Sequence, residues 1–183
     1  MNTHNPMPAG IPKRFYGKYR GTVVNNLDPM QVGRVLLQVP VVLGSSPSSW
    51  AMPCVPVAGI QAGCFVVPPI GSQVWVEFEQ GDPDRPIWTG GFWGTVAEVP
   101  VMAIAPPAIP PGQNIVWQTT GKNLVAISDA PPTPTSGGII LKSAAGATII
   151  VNDSGIYISN GTGASITLNG PVTDINLGGL TVT

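Results

Sequence analysis

The C-terminal third of this 183-residue chain is made of strands too narrow to stand alone, and that constrains the fold more than anything else in the sequence. In SGIYISNGTGASITLNG, residues 154–170, the short runs IYIS and SITL are each followed by a turn of Asn and Gly. From about Asn114 to Thr183 similar segments recur: NIVWQ, NLVAIS, GIILKS, ATIIV, GIYIS, SITL, TDINL and LTV. Aliphatic residues alternate with Thr, Ser, Asn or Tyr, which puts Ile149, Val151, Ile156, Ile158, Ile166, Leu168, Ile175, Leu177, Leu180 and Val182 on one apolar face. A single-chain β-helix coil needs three strand faces, roughly 20 or more residues per turn, whereas each repeat here supplies one strand and one turn. The missing walls are expected from identical copies: three chains closing a prism on a dry aliphatic core, with edges paired between chains. About eight stacked segments give a rod on the order of 40 Å long. The alternative is a monomeric two-sheet sandwich. Against it stands the scarcity of aromatics, since only Trp117 and Tyr157 lie beyond residue 100.

The first half has a different texture. Between Phe15 and Gly94 lie most of the charges and the other ten of the twelve aromatics, with candidate strands in FYGKYRGTVVNN, GRVLLQVPVVL, SWAMPCVPV, SQVWVEFEQ and IWTGGFW. In SQVWVEFEQ, Val74, Val76 and Phe78 share one face, while Trp75, Glu77 and Glu79 share the other. Five short strands joined by long non-hairpin connections suit a small, nearly closed barrel of the OB type. The expected organisation is an N-terminal arm (1–14), an OB barrel (15–95), a Pro-rich extended linker (96–112) and the trimeric β-prism (113–183). No window sustains helical spacing, so the fold class is all-β.

Composition removes several functions. Only 9% of residues are charged and the net charge is −1, which argues against a nucleic-acid footprint. The 23 Gly and 21 Pro fall between strand-like runs and act as punctuation. The N-terminus lacks a basic region followed by an apolar one, so the chain is expected to be made in the cytoplasm without a signal peptide. Cys54 and Cys64 are expected as two small buried apolar residues, a disulfide between them staying open. The one histidine, His4, gives little material for a metal site or a catalytic triad.

The runs GKYRGTVVNNLDPMQVGRVLLQVP and WAMPCVPVAG, and above all the spacing from Pro68 to Gly90 in PPIGSQVWVEFEQGDPDRPIWTG, resemble phage baseplate assembly protein V and the OB domain of VgrG spikes. The second half, with VWQTTGKNLVAISD and SAAGATIIVNDSGIYIS, is similar to that family's transition into a trimeric β-prism. The resemblance implies a structural central spike of a contractile injection machine, in a phage tail, a type VI system or an extracellular particle. It implies a homotrimer with no enzyme activity and no cofactor, mounted on a baseplate, meeting the target cell envelope when the machine fires. A dozen residues before the barrel leave no room for hub domains, so the hub is expected as a separate protein. The linker cannot hold a lysozyme domain. Some related spikes end in His-x-His and bind iron; INLGGLTVT has no histidine, so a separate tip protein of the PAAR type is expected instead. A trimeric receptor- or carbohydrate-binding fibre is the competing reading.

Remaining motifs have plain explanations. Glu77 and Glu79 read as the outward face of a strand rather than a glycosidase pair. Gly81, Asp82, Pro83, Asp84 and Pro86 form the family-motif turn, and Arg85 is expected to pair with a nearby Asp or a neighbouring chain. Trp75, Trp88, Phe92 and Trp93 are expected in the barrel core or against the hub, and Lys13, Arg14, Lys18 and Arg20 as a solvated or hub-facing edge. Asp153, Asp174 and the prism asparagines read as turn formers rather than ion ligands.

Overall fold

The computed structural model describes residues 13–104, 114–129 and 137–182, and divides into two compact units, 1–94 and 95–183. His4 and residues 1–12 of the arm lie outside the described residues, as do residues 105–113 of the expected linker. The protein is nearly all-β, as its alternation predicts.

In the first unit β1 (Tyr19–Asn25), β2 (Leu36–Gln38), β3 (Met52–Pro53), β4 (Ala58–Gly59), β5 (Ala62–Gly63), β6 (Gln73–Phe78) and β7 (Pro86–Phe92) follow one another, with a single helical turn α1 (Pro40–Leu43) after β2. GRVLLQVPVVL is therefore a strand followed by a helical turn, because Pro40 cannot donate to a ladder but suits a first helical position. The main sheet runs β2-β1-β6-β7-β3, with β3 parallel to β7. An antiparallel bridge between Val35 and Ala51 joins its two ends, and the sheet curls shut on itself. The period-2 pattern turns Val23, Val74, Val76 and Phe78 inward to meet Leu37, Val39 and Trp88 in one core. Gly21 sits where a Cβ would be 2.7 Å from the Val76 side chain, so only glycine lets β1 cross this core.

One loop is braced by a partly buried ion pair that the sequence reading passed over. The Asp28 carboxylate accepts hydrogen bonds from Arg34 Nη2 at 2.7 Å and Nε at 3.0 Å, and from the backbone N–H groups of Met30, Val32 and Arg34. The Arg34 guanidinium, with those three amides, holds the Asp28 carboxyl well below the usual carboxylate range. A carboxyl with a lowered folded pKa adds stability that is present above about pH 4 and lost as the pH falls further. Asp28→Asn is accordingly expected to lower the barrel's Tm by several degrees at pH 7, with the gap to wild type closing toward pH 2 in a calorimetric series.

The second unit is a meander. Strands β8 (Ile115–Gln118), β9 (Leu124–Ser128), β10 (Gly138–Lys142), β11 (Thr148–Asn152), β12 (Gly155–Ser159), β13 (Ser165–Asn169), β14 (Val172–Ile175) and β15 (Leu180–Val182) pair antiparallel in chain order. Within the chain, tight turns bring each strand against its own sequence neighbour. Asx chemistry builds several of these turns: Asn152 Oδ1 accepts from Ser154 and Gly155, Asn160 Oδ1 from Thr162 and Ala164, and Asp174 Oδ1 from Gly178. Part of the expected linker is not extended. Residues Val96–Glu98 form a 3-10 turn, and α2 (Val101–Ile104) packs Met102 against Ala126, Ile140 and Ile150.

Candidate functional site

The antiparallel register of the second unit lines up two unbroken columns on one face of its sheet. The first runs Ile115, Ile127, Ile139, Val151, Ile156, Leu168, Thr173 and Val182, each residue opposite the next. The second runs Trp117, Val125, Leu141, Ile149, Ile158, Ile166, Ile175 and Leu180. Thr173 is the single polar member. Directly opposite side chains in such a ladder lie about 5 Å apart, so each column is a continuous apolar ridge.

These ridges are bare. From Ile127 to Leu168 the aliphatics facing this side include Ile158 at 39% and Leu141 at 44% exposure, values far from a satisfied core. On the reverse face Ala126, Ile140 and Ile150 are 5–9% exposed beneath Met102, and further along Tyr157 and Ser154 hydroxyls meet at 3.0 Å. A contiguous aliphatic surface this long on one side of a sheet marks an interface. Leu177 is a correction. It lies in the turn after β14 with φ +51° and is 87% exposed, and Leu180 takes the place opposite Ile175. The Val182 side chain lies outside the described residues.

The other candidates scatter over the barrel. Trp88 is buried in the core, and its indole N–H donates to the Gly33 carbonyl at 3.1 Å. Trp75 and Phe92 stack on the outer face with centroids 4.7 Å apart, the Arg20 guanidinium lies over both rings, and Trp93 is exposed. Lys18 donates to Glu77 and Thr89, Arg14 lies 3.6 Å from Asp82, and Lys13 lies over Phe15. In the motif turn Gly81 (φ +76°) is buried and its carbonyl accepts from the Phe15 N–H, Asp82 caps Asp84, and Pro86 is fully buried. Pro83 is part of the same turn. Arg85 approaches Glu79 at 3.9 Å instead of the expected Asp. Cys54 and Cys64 are free and exposed, correcting the buried reading, because the loop that carries them stands away from the core. Among the described residues no group of three or more His, Cys, Asp or Glu side chains gathers for a metal ion.

Two family models match the chain. One, described as a type VI secretion system/phage-baseplate injector OB domain, matches residues 19–93. The other, the phage baseplate V C-terminal trimerisation domain, matches residues 114–181, the stretch that carries both columns. The chain belongs to the phage baseplate V family. No curated protein matches it. The chain is thus a structural baseplate protein and a homotrimer, with its OB domain in the first unit and its trimerisation domain in the second.

Proposed function

We propose that this baseplate V chain is the central spike of a contractile injection machine. Its OB barrel attaches to a separate hub, and its second unit closes with two other copies into a β-prism that leads through the target envelope. The observation that carries this reading is the bare double column on a trimerisation domain. Three such faces turned inward bury roughly sixteen side chains per chain in a core with one polar residue per copy. Each large aliphatic that goes from about 40% exposed to buried adds on the order of 1 kcal/mol. Eight strands at about 4.8 Å spacing make the result a rod on the order of 35 Å long with a continuous core. Such a body is stiff under axial load, and driving it forward requires no catalytic group. A small PAAR-type tip protein at the far end of the prism belongs to the same reading.

The test is to tag the N-terminus in the cell that encodes the chain and image purified particles by electron cryo-microscopy. Three copies on the tube axis at its distal end are expected. A tag at the particle periphery would instead support a receptor-binding fibre.

A further inference from the structure

The barrel carries a second uncovered apolar element, outside both columns. The connection from β3 to β6 contains the β4–β5 hairpin within VPVAGIQAGCFVV, residues 55–67, which has no charged residue. Surface hairpin tips normally carry polar turn residues, yet Ile60 at this tip is 99% exposed and Phe65 is 72% exposed. The arm is firmly built. Ala58 pairs with Gly63 and Gly59 with Ala62, the Cys64 N–H donates to the Val57 carbonyl, and the Cys54 N–H anchors the base to the Trp88 carbonyl. A Cβ at Gly63 would come within 2.6 Å of the Val57 carbonyl oxygen, so glycine is needed for the two arms of the hairpin to approach.

Between the arm and the barrel lies an open groove of about 620 Å³, lined by the arm itself and by Val32, Met52, Pro53 and Trp88. Gly59 and Gln61 line this groove, but Ile60 between them does not. The tip therefore points away from its own groove. One protomer presents an apolar knob and an apolar hole facing different ways, which is the geometry of a head-to-tail contact. Such contacts close only under a rotational symmetry, and the trimerisation domain supplies a threefold one. Gly94 and Asn114 are joined by so few residues that three barrels tethered to one trimer share a local concentration on the order of a millimolar.

We infer that each barrel inserts Ile60 into the groove of the neighbouring copy, so that three arms close a ring around the trimer axis. This rests on the homotrimer and not on the spike reading, which stands or falls separately. The test places p-benzoylphenylalanine at position 60 of the full chain, at micromolar concentration and after light scattering has shown a trimer. Irradiation is expected to give covalent dimers and trimers on a denaturing gel, with linked peptides joining position 60 to residues 28–34 or 50–57. Met52→Arg at the groove mouth is expected to abolish those bands while the scattering mass stays trimeric. Label confined to the monomer band, links to other regions, links to an added hub protein alone, or bands that survive Met52→Arg would each overturn the inference.

Discussion

Ile158→Asp is expected to leave the full chain at 18.9 kDa in solution, where the unsubstituted chain runs near three times that mass. Ile158 stands mid-column between Ile149 and Ile166, and three copies of the substitution would meet around the trimer axis. Each carboxylate loses its water and gains no cation, because Lys142, the one cation of the β10–β15 strands, lies on the other face of its strand, next to Leu141. Desolvating an unpaired carboxylate costs several kcal/mol, and three held close together repel one another as well. The loss exceeds what neighbouring aliphatic pairs supply. Ser159→Asp is the matched control. One residue on, it points to the opposite face, and its oxygen already accepts the Gly161 N–H at 3.1 Å, a role a carboxylate retains. Light scattering after size exclusion should show a monomer for the first variant and a trimer for the second.

Gly155→Ala should damage the same unit from the backbone. A Cβ there would lie 2.1 Å from the Leu168 carbonyl oxygen, and a backbone atom in a paired strand cannot swing aside as a flexible side chain can. Relieving the overlap means parting β12 from β13, where Ile156 pairs with Leu168 and Ile158 with Ile166. A cost of about 3 kcal/mol or more is expected, of the size that overpacking a rigid site brings. Gly121→Ala, in a turn with ordinary φ and nothing closer than 3.7 Å, should change the thermal midpoint little. Calorimetry on the two variants decides it, and equal midpoints would mean that the strand pairing absorbs the extra methyl.

Much of this architecture was legible because period-2 alternation has one physical cause, a strand with one buried face. That logic turns Val74, Val76 and Phe78 inward and puts Ile156 and Ile158 on a common side from the sequence alone. It failed where alternation runs on through a turn. INL reads as strand, yet Asn176 and Leu177 both adopt positive φ because the Asp174 carboxylate, one strand position back, captures the Gly178 N–H at 2.7 Å. The Asp28–Arg34 pair was missed although DPMQVGR carries its signal: an Asp-Pro turn, a glycine at φ +84°, and an arginine six residues on. The exposed arm and its cysteines were illegible for another reason. A short apolar run has the same sequence whether it fills a core or projects from it, and only the surrounding fold distinguishes the two.

The most direct measurement is the solution mass of the full chain beside a chain ending at residue 113. The account predicts a trimer near three times 18.9 kDa for the first and loss of most association for the second, since the columns lie wholly beyond Asn114. A full chain that is monomeric at micromolar concentration, or a truncated chain that stays trimeric, would contradict it.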